Sequence, residues 1–282
     1  MQIIKSIEDI ESLQDNKIIG GENIEFNNSE IKFAGMGNIL FCEENVKLSG
    51  AQLKFLGDGC IIYLSSNSHY YYLDVSVYKN SAFFMGKNNY LNGSLYAIAS
   101  EQKNIIIGND NLFSNGVCLR TADPHLIYSA ETKKRINPSK SVFIGDHVWL
   151  GQGAMLLKGS RIASGSIVGA MAVCSGKKIP SCTSWAGNPV KQVAQGIFWS
   201  KECVHAWDDE MTAAHEKFEG NKYIFKYNSD EHLKFEDIDA ALSGKTAEEK
   251  LEYLKTLRAN KNKNRFSENA PAVKKGFFGK KN

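Results

Sequence analysis

His125 lies in RTADPHLIYSAETKKRINPSKSVF, the stretch between Leu119 and Ile144, and its side chain is of a type that can move a proton at neutral pH. An imidazole titrates near neutrality, so a positioned one can take the proton of an attacking hydroxyl, an assistance on the order of 10²–10⁴-fold in rate. A loop histidine held by an ordinary hydrogen bond would look the same in the sequence. Asp123, Glu131 or a backbone carbonyl could orient the ring. Beyond His125 the chain places Tyr128 and a basic run, Lys133 to Arg135. Lys134 and Arg135 can hold a carboxylate or phosphate, Arg135 in bidentate fashion, although a solvated charge run accounts for them equally well. Trp149, in GDHVWLGQG, stands just before an aliphatic position of a strict repeat and is therefore expected on the outside of the fold.

That repeat supplies the scaffold. An aliphatic or small residue falls on every sixth position at Ile144, Leu150, Leu156, Ile162, Val168 and Cys174. Four residues after each of the first five comes Val148, Ala154, Ser160, Ser166 or Ala172, until Lys178 breaks the pattern. Neither an α-helix nor a simple strand has a period of six. A solenoid does, because one strand plus one turn makes a face of six residues and three faces make a coil of about eighteen. Coils then stack about 4.8 Å apart. The phase reappears upstream at Ile107, Phe113 and Leu119, so the stretch holding His125 is an interruption of the solenoid. A second repeat matches Ile31, Phe33, Gly35, Gly37, Ile39 and Phe41 with Leu53, Phe55, Gly57, Gly59, Ile61 and Tyr63, which suits longer, less regular coils starting near residue 20. Two similar hairpins would give the same local pattern.

The chain of 282 residues is 43% hydrophobic, yet no apolar stretch approaches the roughly 18 residues needed to span a bilayer. Its first thirteen residues hold three acids and no apolar segment of the secretory kind, so a soluble, cytoplasmic protein is expected. Six cysteines form no CxxC pair and read as small core residues under reducing conditions. The expected organisation is a lead-in over 1–20, a solenoid over 21–193, a mostly helical extension over 194–259 and a basic, disordered tail over 260–282. Within the extension, 196–219 reads as an amphipathic helix capping the open coil, 223–227 as a strand, and 246–259 as a helix with Thr246 as N-cap. The segment 260–282 carries seven Lys/Arg against one Glu, a net of +6 against +3 for the whole chain. That tail reads either as a plain solvated terminus or as a contact to the anionic face of a membrane, with Phe277 and Phe278 as shallow anchors.

The run TADPHLIYSAETKKRINPSKSVFIGDHVWLGQGAMLLKGSRIASGSIVGAMAVCSGKKIP, followed by WAGNPVK, resembles the hexapeptide-repeat acyltransferases, in particular those that O-acetylate capsular sialic acids. The resemblance covers residues 107–193. It implies an all-β solenoid, a left-handed parallel β-helix, with the α-helical appendage added at its C-terminal end; the handedness comes from the family alone, since parallel crossovers are otherwise almost always right-handed. It implies an acetyl-CoA-dependent O-acetyltransferase, with His125 as general base and Trp149 beside the acetyl group or donating to the oxyanion. Packing of Trp149 against a neighbouring subunit is the alternative. For acetyl-CoA the resemblance implies a groove at Gly151, Gly169 and Ala170, phosphate contacts from Lys177 and Lys178, and adenine near Trp185, which could equally cap the coil end. Tyr128, Lys134 and Arg135 would face the acceptor. Lys178 departs from the acidic residue usual at its position.

The resemblance further implies a homotrimer, a carbohydrate acceptor that is a surface polysaccharide or its precursor, and no nucleic acid partner. No metal is expected: a metal-dependent solenoid enzyme needs three converging histidines, and only His125 and His147 lie in the regular part. Transfer to an amino-sugar nitrogen would use the same base and groove, and a non-catalytic solenoid binding module is the third reading. In this scheme the enzyme is cytoplasmic or peripheral at the inner face of the membrane.

Overall fold

The computed structural model describes residues 1–270. Three long sheets, two of eight strands and one of six, and a two-stranded parallel pair, Ile24–Asn27 with Val46–Ser49, wind around one apolar core, with strands entering each sheet in the order of successive coils. The first sheet runs from Gln2–Ile4 through Glu30–Phe33, Gln52–Phe55 and later coils to Val173–Ser175. The second runs from Lys17–Ile19 to Lys178–Ile179, and the third from Tyr90–Leu91 to Lys191–Gln195. All pairings along the sheets are parallel except at the two ends, where Gln2–Ile4 and Lys191–Gln195 turn antiparallel.

The six-residue positions point inward as the repeat requires. Ile144, Leu150, Leu156, Ile162, Val168 and Cys174 are fully buried, as are the small residues Ala154, Ser160, Ser166 and Ala172 at the corners. Bonds between equivalent positions of neighbouring coils step by 22 residues early in the chain and by 18 late. The 22-residue repeat is coil stacking, because Ile31 pairs in parallel with Leu53 and Ile39 with Ile61, which excludes a pair of hairpins. Between Leu119 and Leu156 the step is 37 residues, so one long excursion leaves the solenoid between the strands Cys118–Arg120 of the first sheet and Val142–Ile144 of the second.

Gly151 shows why glycine recurs beside the aliphatic positions. A Cβ there would lie 2.5 Å from the backbone nitrogen of Ala170 in the next coil. Free Cys42, Cys60 and Cys174 are buried, and burial pushes the Cys174 thiol up to about 12.

Several boundaries are corrected. The first twenty residues are no separate lead-in: Gln2–Ile4 and Lys17–Ile19 are already strands of the first two sheets. Residues 196–219 do not form one capping helix. They hold a single 3-10 turn, Val204–Ala206, and α1, Asp209–Ala214, neither of which buries any of its residues. Residues 223–227 form no strand. The other helices, α2 at Phe235–Leu242 and α3 at Ala247–Ala259, lie on the outer face of the second sheet, where Ile61, Tyr63, Phe84, Ile106 and Phe143 pack with Ile238, Leu251 and Leu254. Thr246 caps α3 in a reciprocal capping box with Glu249.

The tail is corrected as well, for residues 260–270. Arg265 and Phe266 are each 1% exposed. The Arg265 guanidinium makes two 2.8 Å bonds to Asp146 and donates to the carbonyls of Leu257 and Asn260. The backbone carbonyls of Phe266 and Glu268 accept from Ser164 and Ser181. Phe277 and Phe278 lie outside the described residues.

Candidate active site

The excursion that carries His125 is a protruding hairpin. Tyr128 and Arg135 form an antiparallel bridge, Ile136 donates to the Ile127 carbonyl at 2.9 Å, and Lys133 takes a positive φ at the tip. His125, Leu126, Ile127, Tyr128, Lys134 and Ile136 are exposed. Among the described residues, the His125 imidazole has no hydrogen-bond partner; its backbone carbonyl is held instead.

The residue that holds it is Asn137, 95% buried at the foot of the hairpin. Its amide nitrogen donates to the His125 carbonyl at 2.8 Å and to Asp123 at 3.0 Å. Its amide oxygen accepts from the Ile127 backbone at 2.9 Å and from Arg135 Nε at 3.3 Å. One side chain thus fixes the backbone on both sides of Leu126. Sequence reasoning missed Asn137; the only local signal was an Asn-Pro turn pair, which occurs in many loops.

The charged residues near the base are already paired. Asp123 is bound by Lys158, and that ammonium, followed by the Asn137 amide, holds its carboxyl below the usual carboxylate range. Asp123 is therefore committed to Lys158 and Asn137 rather than to the His125 ring. Arg135 makes a two-pronged pair with Glu101, which also accepts from Ser139. Those partners, Arg135 first, bring the Glu101 carboxyl down to about 2. Arg135 serves as a hairpin brace, while Tyr128 and Lys134 remain open to solvent.

Trp149 lies in the outward column of the third sheet and is 38% exposed, with its ring centre 6.0 Å from Trp199 and Nε1 3.4 Å from Ser114 Oγ. Gly151, Gly169 and Ala170 follow at the corner between the third and first sheets, with Ala170 exposed. Trp185 pairs with Val168 and extends the inward column Phe113, Leu150 and Val168, half-buried, with Nε1 donating to Thr183 at 3.0 Å. Its ring packs against the end of the core. Lys177 is exposed at the corner between the first and second sheets. Lys178 stands in the outward column of the second sheet below Arg161, and both meet Glu236 of α2.

These residues divide into two sets. The His125 hairpin and Lys177 share the corner between the first and second sheets. Trp149, Gly151, Gly169 and Ala170 belong to the third sheet and its far corner. In a three-sided prism the corner between two faces is opposite the third face, so one chain does not bring both sets together.

His147 is a buried element of the fold. It is sandwiched between Trp199 and Tyr223, at 4.0 and 4.4 Å between ring centres, and its Nε2 lies 3.0 Å from the Trp199 carbonyl. Burial lowers its pKa from the ordinary value.

No protein-family model matches the chain. It is 29% identical over 128 residues to a polysialic acid O-acetyltransferase of Escherichia coli O1:K1, covering 45% of this chain and 41% of that protein. It is 32% identical over 112 residues to a polysialic acid O-acetyltransferase of Neisseria meningitidis, covering 39% and 52%. The chain thus spans about half the length of these curated relatives. Among solved structures, the polySia-specific acetyltransferase NeuO superposes with a TM-score of 0.60 at 26% identity, covering 71% of this chain and 93% of that one. In sequence and in fold the chain is similar to hexapeptide-repeat acetyltransferases. Its relatives share the left-handed β-helix, as does the polysialic acid O-acetyltransferase OatWY, with a TM-score of 0.56 and coverage of 71% and 96%. OatWY, at 24% identity, bears on the fold alone.

Proposed function

We propose that this hexapeptide-repeat protein is an acetyl-CoA-dependent O-acetyltransferase acting on a hydroxyl of an acidic surface polysaccharide or its precursor, with polysialic acid as the reference acceptor. The observation that carries the reading is the His125 hairpin: an imidazole with no hydrogen-bond partner among the described residues, on backbone clamped by Asn137, in a solenoid matched over nearly the whole length of an acetyltransferase.

His125 takes the proton of the acceptor hydroxyl as its oxygen attacks the thioester carbonyl. The resulting oxyanion accepts a hydrogen bond, for which the Trp149 indole N–H is a candidate; donors of this kind contribute about 3 kcal/mol. Collapse breaks the C–S bond, and the imidazolium returns its proton to the departing coenzyme A thiolate. No covalent enzyme intermediate forms. Gly151, Gly169 and Ala170 offer a small-residue wall for the pantetheine arm, and Lys177 a charge for phosphate.

The division of the two residue sets between opposite sides of the prism supports a site assembled between copies, the hairpin of one meeting the third sheet of the next, as in a homotrimer. The exposed apolar side chains of Leu126, Ile127 and Ile136 favour such a contact. Among the described residues no helix is long and apolar enough to cross a membrane.

His125→Ala tests the reaction: turnover above about a tenth of wild type overturns the general-base role. Release of acetate from the product by mild base separates an ester from an amide. A stable monomer with full activity would overturn the assembled site.

A further inference from the structure

Beside Trp149, at the corner between the second and third sheets, the extension encloses a cavity of about 400 Å³. One wall is the solenoid, with Lys87 and His147; the other is the extension, with Lys222, Tyr223, Lys261 and Lys263. Trp199 links this cavity to the proposed site, stacking on His147 and lying 6.0 Å from Trp149.

The charges of the cavity are unbalanced. Its two carboxylates are already engaged, Asp146 by Arg265 and Asp110 by Lys201 at 3.8 Å. Lys87, Lys222, Lys261 and Lys263 form no ion pair with any described residue. Residues 271–282 contain no Asp or Glu, so no acidic side chain of that segment can supply the counter-charge. Lys222 and Lys263 instead lie over the rings of Tyr223 and Phe225, at 5.0 and 5.5 Å, and Lys263 also donates to the Asn221 carbonyl. Four ammonium groups around one concavity repel each other, and a cleft of single sign concentrates anions of the opposite sign.

We propose that this cavity is a docking subsite for the carboxylates of an acidic oligosaccharide, holding sugars that flank the one presented at Trp149. This deepens the proposed reaction and rests on it for the identity of the chain that is bound. Point charges from lysine suit carboxylates spaced along a flexible polymer.

The test uses the full chain and a fluorescent α2,8-linked oligosialic acid of about eight residues, with maltooctaose and inorganic phosphate as competitors. Lys222→Gln/Lys261→Gln/Lys263→Gln is expected to weaken binding about tenfold and to raise KM for long acceptors equally, with kcat and KM for acetyl-CoA unchanged. Lys261→Gln alone, at an exposed side chain with no partner among the described residues, is expected to weaken binding two- to threefold and keeps the test open if the triple variant misfolds. Unchanged affinity in folded variants, or equal competition by maltooctaose, overturns the subsite; displacement by phosphate at equal concentration overturns its assignment to carboxylates. A wild-type chain that binds the oligosaccharide but transfers no acetyl group refutes the reaction and leaves the subsite standing. Transfer with binding insensitive to these lysines does the reverse.

Discussion

Replacing Asn137 by Ala removes four hydrogen bonds from the foot of the His125 hairpin at once: to His125, Ile127, Asp123 and Arg135. The two backbone bonds contribute about 1 kcal/mol each, and the Asp123 bond about 1.5 kcal/mol because its acceptor is ionised. The 3.3 Å bond to Arg135 adds little. Water can replace part of this roughly 4 kcal/mol, because His125 and Ile127 are exposed, which leaves about 2 kcal/mol against the ordered hairpin. A loss of that size lowers the order–disorder equilibrium constant roughly 30-fold, a fall in ordered population of similar order where the wild-type hairpin is itself near balance, and misplacement of a base by about 1 Å alone can cost 10²-fold. The expected result is a kcat reduced about 10- to 100-fold, with KM for acetyl-CoA within about threefold of wild type and the solenoid's melting little changed. Steady-state kinetics at saturating acceptor, with a melting curve, measure both sides of this split. A kcat within about twofold of wild type would refute the assignment of Asn137 as a positioning residue. A parallel loss of kcat and melting temperature would show a general structural role instead.

Removing the Arg265 side chain leaves Asp146 unpaired beneath the extension, so Arg265→Ala should cost about 3–5 kcal/mol in urea unfolding and expose the amides of α3 to exchange. Arg265→Met with Asp146→Asn should cost less than Arg265→Ala alone, because no buried charge is stranded. Lys250 is buried against the Asn80 carbonyl, and burial lowers its pKa from 10.5 to about 8. Below pH 8 both folded and unfolded chains hold the proton and the full penalty applies. From pH 8 to 10.5 the folded chain releases it first, so stability rises by about 3 kcal/mol relative to Lys250→Met, measured as the difference between their denaturation curves. Glu101 has the opposite sign. Its carboxyl is depressed to about 2 in the folded chain, so its contribution is complete above 4.5 and is lost as pH falls from 4.5 towards 2. Glu101→Gln should reproduce that loss at neutral pH as faster amide exchange in residues 127–136.

The second sheet shows how much of the architecture could be read in advance. Its strands Ile61–Leu64, Ala82–Met85 and Asn104–Ile107 are apolar on nearly every residue, a pattern of strands covered on both faces. The inward half of that pattern belongs to the repeat. The outward half marks the landing place of α2 and α3, a signal present in the sequence but with no periodicity to name its partner. Helix α3 itself was legible from its capping residues. The capping helix expected over 196–219 was not formed, because Trp199 is drawn onto His147 rather than into a helical face.

By itself the sequence determined the solenoid, the inward columns and the place of its interruption at His125. Each of these depends on a residue meeting its counterpart one coil away, and stacking makes that contact a matter of fixed spacing. Only the tertiary structure decided which side chain clamps the His125 backbone, that Arg135 and Lys178 are spent on Glu101 and Glu236, and that Arg265, Phe266 and Ser267 are buried. It also separated the His125 and Trp149 sets onto opposite sides of the prism. These outcomes depend on contacts such as Arg265 with Asp146, 119 residues apart, which leave no repeat in the chain because one charge, one amide or one ring satisfies each of them.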